Sequence, residues 1–457
     1  MTEADLIIVG AGPAGMAAAS TAAEGGAGVL LLDRQSRPGG QAFSGVTVNG
    51  DRREFLGKDY LAGRILVDAL HNSNIVAEYG ASVWRLERGA RVVWSQNDVS
   101  HISSAPHVLL AGGAQERPTP FPGWTLPGVM SAGAAQLLMK NAGLLPRDAV
   151  LAGSGPLLYL LAAQMIDTGA RPKALVETQT RLSLLKASRH LPQALLAATT
   201  LLKGLRLIRR IRNAGVPGFT GASGFRVRQI ADGDLSFSFN ARGQEHSFTT
   251  PLLLTHQGVV PSTHISRASG VDHVWSDAQS AYQPVTDEWG ATNVPGLHIA
   301  GDGAGIGGAE AAEAAGRLAA FDILHQLGRL SEDQRNRSAA GPRSALRRAM
   351  AIRPFLDAAY APSRELSEPV GETIVCRCEE VSADEIRKSL IDSAQGPRHI
   401  KAATRAGMGP CQGRMCDLTV CGVLASCGAD MSAPRARTPI NPVRLGELAA
   451  LAPSQET

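Results

Sequence analysis

No cysteine occurs in the first 375 residues of this 457-residue chain. A disulfide framework spread along a secreted protein is therefore excluded, and all thiol chemistry is confined to the C-terminal end. Charge of one sign is also scarce: the formal net charge is only +4, too mild to argue for nucleic acid or an anionic membrane surface as partner. The opening Met1-Thr2-Glu3-Ala4-Asp5 lacks the basic stretch of a signal peptide. The longest apolar stretch, about Leu184 to Leu205, is interrupted by Lys186, Arg189, His190, Pro192 and Lys203, so it cannot span a bilayer without burying charge. The expectation is a soluble, cytoplasmic protein with no transmembrane segment.

What is present suits a globular enzyme of two or three domains: 44% hydrophobic residues, 19% charged, and 50 glycines. Leu6-Ile7-Ile8-Val9 reads as a buried parallel strand. Gly10-Ala11-Gly12-Pro13-Ala14-Gly15 follows directly and matches G-x-G-x-x-G. In that pattern Gly10 permits the tight turn, Gly12 lets the backbone approach a pyrophosphate, and Gly15 lets the helix pack against the sheet. Val29 to Leu32 is the next strand, and Asp33 closes it 23 positions after Gly10, where a carboxylate can accept from a ribose hydroxyl. Arg34 beside it is counted in the same site.

A second strand, glycine turn and helix begin at Ala149, so the architecture repeats. Its turn, Gly153-Ser154-Gly155-Pro156-Leu157-Leu158, has leucine in the third glycine position. A side chain there pushes the helix off the strand or crowds the phosphate turn, so ordinary NAD(P)H use is read as lost, although Glu177 could still hold a ribose. Residues 181–213 read as a basic amphipathic helix pair with a solvated face. The histidines at 256, 264, 273 and 298 are read as core or surface residues, and no general base is assigned.

All six cysteines follow residue 375. Cys376-Arg377-Cys378 and Cys411-Gln412-Gly413-Arg414-Met415-Cys416 form C-x-C and C-x4-C pairs, 32 residues apart. Four thiolates can hold a [2Fe–2S] cluster or zinc, and C-x-C is the less usual spacing for structural zinc. Cys421 and Cys427 fit neither pair and are expected to be small buried residues on the following helix.

Four motifs stand in an order that resembles the pyridine nucleotide–disulfide reductase superfamily: the turn at Gly10–Gly15, Gly39-Gly40-Gln41, Leu110-Ala111-Gly112-Gly113, and Pro295 through Gly301-Asp302. The resemblance implies FAD in the first site, with Gly40, Gln41 and Gly112 near it and Asp302 on the ribityl chain. The redox-active Cys-x-x-Cys of that family is absent, so no dithiol near the flavin can carry electrons. Gly407-Met408-Gly409-Pro410-Cys411-Gln412-Gly413 is similar to the signature of the small [2Fe–2S] domain of bacterioferritin-associated ferredoxin. That implies a cluster on Cys376, Cys378, Cys411 and Cys416.

The combination resembles the A (alpha) subunits of opine oxidases and dehydrogenases, acting on octopine or nopaline, over nearly the whole chain. Related subunits occur in hydrogen cyanide synthase and in hydroxyproline or proline dehydrogenases. The resemblance implies oxidation of a C–N bond in an opine or amino acid and transfer of electrons to an acceptor. It implies a second FAD-containing (beta) subunit bearing the substrate site. It also leaves room for a small gamma subunit, and for a second nucleotide or an FMN at a subunit interface. An NAD(P)H-dependent flavoprotein reductase is the alternative enzyme reading. The fold class expected is α/β. Residues 1–118 and 256–330 would form a discontinuous FAD domain, with a degenerate NAD-like domain, 119–255, inserted in it. Residues 331–370 would be a linker, 371–430 a small helical [2Fe–2S] domain, and 431–457 an extended tail.

Overall fold

The computed structural model describes residues 4–50, 53–87, 90–391 and 396–451. Two five-stranded parallel sheets dominate it. The first runs Leu297–Ile299, His107–Leu110, Leu6–Val9, Val29–Asp33, Ile75–Tyr79 from edge to edge. Leu6–Val9 lies at its centre, with Val9 in register with Leu32 on one side and Leu110 on the other. Leu6, Ile7 and Ile8 are fully buried, as continuous apolar runs covered on both faces must be.

The second sheet runs Gly218–Thr220, Ala174–Glu177, Val150–Ser154, Leu253–Gln257, Val129–Ser131. Its strand through Gln257 extends just past the boundary expected at residue 255. The chain crosses between the two sheets along one antiparallel pair, Ala114–Glu116 against Val259–Pro261. Each large unit also carries a three-stranded antiparallel sheet, Ser82–Ser104 in the first and Ser223–Thr250 in the second.

Helix Pro13–Glu24 packs on helix Ala309–Gln326 at glycine spacing. A Cβ on Gly316 would lie 2.1 Å from the Ala14 carbonyl oxygen, so only glycine permits this approach.

Residues 331–370, expected to be a linker, are mostly helical: Glu332–Met350, Arg353–Ala359 and Arg364–Ser367. Polar composition hid the signal. Ser331 and Gln334 form a reciprocal capping box, with Glu332 and Asp333 in the first turn. Arg335 anchors the long helix by bonding Asp322 at 2.9 Å and lying over the Trp289 ring. Residues 181–213 form three helices and not a pair: Arg181–Ser188, Leu191–Ala194 and Ala198–Asn213.

The C-terminal unit is a small hairpin, Ile374–Cys376 with Val381–Ser382, and three helices, Ala383–Ile391, Pro397–Thr404 and Asp417–Ser426. They close around Val375, Ile386, Ile400, Val420, Val423 and Leu424. Ser382 caps the first of these helices, exchanging bonds with Glu385. The tail is irregular to Arg444, then forms one short helix, Leu445–Ala449. It folds back onto the first unit, burying Ile440 against Trp84 and Val93.

Candidate functional site

The first glycine turn is closed by steric necessity. Gly10 has φ +111°, and a Cβ there would lie 2.4 Å from the Ala111 carbonyl oxygen. At Gly15 a Cβ would lie 1.8 Å from the Gly10 carbonyl oxygen. Gly40 approaches from the other side, its notional Cβ 2.8 Å from Gly12 Cα. Pro13 starts the helix and Ala14 is buried behind it, against Gly301. A helix N-terminus framed by bare backbone is the cradle that a pyrophosphate needs.

Asp33 stands at this turn, as its spacing predicted. Its Oδ2 accepts from the Ala11 N–H at 2.5 Å and its Oδ1 from Gln35 N–H at 2.7 Å. Burial raises its pKa against these two bonds. Arg34 is exposed beside it. Asp302 uses Oδ1 to accept from Gly307 and Gly308 N–H, both at 2.9 Å, at the start of helix Ala309–Gln326. Gln41 reaches from the loop after Gly39 and Gly40 to the Ala114 carbonyl at 3.1 Å. Gly112 follows the strand His107–Leu110, and a side chain there would meet nothing within 4 Å.

Sequence reading missed Lys140. Its buried ammonium donates to the carbonyls of Gln41 and Ala42, at 2.9 and 3.0 Å, and so holds the loop after Gly39 and Gly40. Burial lowers its pKa to about 8. No local pattern marks this lysine, which sits on a small-residue helix, Ala132–Ala142.

The second glycine turn keeps the strand–turn–helix order but not the backbone of the first, since Gly155 has φ +123° where Gly12 has −80°. Leu158 is buried in the core beside Leu151 and Leu161. Glu177 does not point to an open ribose site: it accepts from the Tyr159 hydroxyl and the Gln179 amide, inside the protein. Burial raises its pKa despite both bonds. Tyr360 packs edge-on against Tyr159 at 6.1 Å, and Ser363 N–H donates to Gln257 Oε1 at 2.9 Å. The Gln257 amide in turn bonds Thr178 at 3.1 Å. Residues 360–363 thus lie across the carboxyl ends of the central strands, where open α/β sheets bind ligands.

Cys376, Cys378, Cys411 and Cys416 come together. Cys376 lies against Cys416, and Cys378 against Cys411, with Cys411 close enough to act on Cys416. Two pairs of thiols can supply two ligands to each iron of a [2Fe–2S] cluster. The Cys416 contact, helped by backbone N–H groups of Gly407, Glu379 and Cys378, lowers Cys376 to about 5 against its burial. Met415 and Gly413 N–H groups point at Cys411. Such N–H donors stabilise ligating sulfur. Gly409 is required by proximity, since a Cβ there would lie 2.2 Å from Cys378 Cβ. Cys421 is buried on helix Asp417–Ser426, as expected, and burial pushes its thiol to about 12. Cys427 is exposed, because it caps the end of that helix and not its packed face.

The loop from Cys411 to Cys416 is clamped from three directions. Gln115 donates to the Arg414 carbonyl at 2.8 Å. His264 bonds the Gln412 carbonyl at 3.0 Å, and Arg267 bonds Asp417 at 3.0 Å. From the tail, the Pro439 and Ile440 carbonyls accept from Gln412 and Arg414. Trp124 Nε1 donates to the Ile374 carbonyl at 2.7 Å. Residues 114–124 thus touch the Gln41 loop, the Cys411–Cys416 loop and the hairpin at Ile374, a role that sequence reading did not assign to them.

Comparison with known proteins agrees with this architecture. Residues 4–319 match the pyridine nucleotide-disulphide oxidoreductase family, and residues 374–426 match the BFD-like [2Fe-2S] binding domain. FAD and a [2Fe–2S] cluster are the cofactors of these two modules. The opine oxidase A subunit of Agrobacterium tumefaciens (strain Ach5) is 42% identical, covering 98% of this chain and 92% of that protein. The protein of the same name from Rhizobium meliloti (strain 1021) is 41% identical over 98% of both. Hydrogen cyanide synthase subunit HcnB of Pseudomonas protegens is 33% identical, over 90% of this chain and 89% of its own. Among solved structures, L-proline dehydrogenase from P. horikoshii shares the fold, with a TM-score of 0.71 at 21% identity, over 98% of this chain and 80% of that one. The relatives are named as subunits, and no helix among the described residues is long and apolar enough to cross a membrane. With both modules matched and with curated relatives aligned end to end, the chain belongs to the pyridine nucleotide-disulphide oxidoreductase family and, within it, to the group of opine oxidase A subunits.

Proposed function

We propose that this chain is the FAD- and [2Fe–2S]-bearing subunit of a cytoplasmic heteromeric dehydrogenase that oxidises the C–N bond of an opine, octopine or nopaline. The carrying observation is the short connection between its two cofactor modules: Gln41 bonds Ala114 in the flavin-side strand, and the adjacent Gln115 bonds Arg414 in the cluster loop. A flavin accepts two electrons and releases them singly, and a [2Fe–2S] centre carries one at a time. In the overall reaction the opine loses a hydride from carbon and a proton from nitrogen. Water then splits the imine into arginine and a 2-oxo acid, while both electrons pass to an acceptor.

On this reading Gly10, Gly12, Pro13, Ala14 and Gly15 seat the pyrophosphate. Asp33 and Arg34 lie at the adenosine ribose. Gly40, Gln41 and Gly112 flank the flavin end, and the free Oδ2 of Asp302, below Gly301, meets the ribityl chain. The two thiol pairs hold the irons. The substrate site resides on a second FAD-containing (beta) subunit. Further components are a small gamma subunit and a second nucleotide or an FMN at a subunit interface.

The test is anaerobic reduction of the co-expressed complex by a panel of opines, proline analogues and glycine. Flavin bleaching by octopine or nopaline, with release of arginine, is expected. Bleaching by glycine with release of cyanide would instead assign the complex to the chemistry named for the HcnB relative. The caged Glu177 speaks against an NAD(P)H-dependent reductase.

A further inference from the structure

Along residues 181–205 the helices turn alanines inward and most of their leucines outward, while Leu207, Ile208 and Ile211 pack into the core in the ordinary way. Ala187, Ala194 and Ala197 turn inward, with Ala194 and Ala197 packed on Ile352, Phe355 and Leu356. The leucines turn outward: Leu182, Leu185, Leu195, Leu196, Leu202 and Leu205 are 51–71% exposed. An apolar surface of this kind, on the order of several hundred Å², exceeds what a soluble monomer ordinarily shows to water.

Its charge is one-sided. No aspartate or glutamate occurs from residue 178 to 231. Lys203 pairs with Asp59, and Arg210 with Asp167, both acids from neighbouring segments. Among the described residues no ion pair involves Arg181, Lys186, Arg189, Arg206 or Arg209. The whole-chain charge of +4 averages this local excess away. A second copy of the chain would present the same cations, so self-association by this face is repelled. The exposed part contains no tryptophan, tyrosine, phenylalanine or methionine, the residues that mark protein interfaces. Leucine alternating with arginine and lysine on short helices is the composition that lies in the headgroup region of an anionic bilayer.

We infer that residues 181–209 form a peripheral docking surface for an anionic lipid membrane, with the leucines entering the acyl boundary and the cations meeting phosphate headgroups. The purified holoprotein is mixed with vesicles of phosphatidylcholine, alone or with about a third phosphatidylglycerol, and sedimented. Binding should rise at least about fivefold with the anionic lipid and fall as salt is raised. The triple variant Leu185→Ser, Leu196→Ser, Leu205→Ser should lose that binding while its flavin and cluster spectra stay unchanged. The variant Arg181→Gln, Lys186→Gln, Arg189→Gln, Arg206→Gln should bind weakly and without salt dependence. Equal sedimentation with both vesicle types, or undiminished binding by the leucine variant, would overturn the inference. So would a complex with the second subunit in which the same leucines become protected from hydrogen exchange and vesicle binding disappears. The face would then be a protein interface.

Discussion

The side-chain amide of Gln115 donates to the main-chain carbonyl of Arg414 at 2.8 Å, joining the strand behind the flavin-side loop to the loop that carries Cys411 and Cys416. Removing such a bond costs about 1 kcal/mol, small against folding but large against the placement of one loop. Gln115→Leu should keep its flavin and iron, yet show several-fold slower cluster reduction after rapid flavin reduction, followed by stopped-flow absorbance. An unchanged rate would mean the contact is merely structural.

Two glycines of the nucleotide cradle should respond oppositely to alanine. At Gly15 the new Cβ collides with the Gly10 carbonyl, whereas at Gly112 it enters open space. Gly15→Ala should abolish flavin retention in soluble protein, while Gly112→Ala should fold and lose affinity only if the cofactor itself fills that space. Flavin released on denaturation, per mole of chain, measures both.

Cysteine substitutions should divide sharply. Cys378→Ser or Cys416→Ser should lower iron and sulfide content severely, because each removes one member of a contacting thiol pair. Cys421→Ala and Cys427→Ser should retain the cluster, the first at a stability cost of about 1 kcal/mol for a buried side chain. Elemental analysis and the visible circular dichroism of the cluster distinguish the cases.

Lys140 makes stability depend on pH in the alkaline range. Its folded pKa of about 8 lies below the ordinary value of 10.5, so between them the unfolded chain holds the proton more tightly and stability rises with pH. Relative to Lys140→Met, which lacks the titration, the wild-type protein should gain on the order of 1–3 kcal/mol from pH 8 to pH 10. The two carbonyls that the ammonium bonds act against the shift, which favours the lower end. Denaturant titrations of both proteins across that window supply the comparison.

The second dinucleotide site should be inert. Glu177 is engaged by Tyr159 and Gln179, and residues 360–363 cover the strand ends. Anaerobic NADH or NADPH should therefore leave the flavin absorbance unchanged. Rapid bleaching by either would contradict the occlusion.

Much of the molecule could be read from residue order because its decisive signals are local. Buried strands followed at once by glycine turns marked both sheets, and the C-x-C and C-x4-C spacings marked the thiols that meet. What escaped depends on contacts distant in sequence. Lys140 acts on carbonyls about a hundred residues away, and Gln115 on one almost three hundred away. The helix at Glu332–Met350 was missed because arginine and serine conceal a capped helix whose stability comes from Asp322 and Trp289. The cover over the second sheet's strand ends could not be foreseen either, since Tyr360 and Ser363 arrive from nearly two hundred residues downstream of Glu177.

Both passages of the chain between the two large sheets run through one strand pair, Ala114–Glu116 with Val259–Pro261. Because the cluster loop is bonded to that same pair through Gln115, a swivel of the lobes about their connection would strain the Gln115–Arg414 bond and carry the Cys411–Cys416 loop with it.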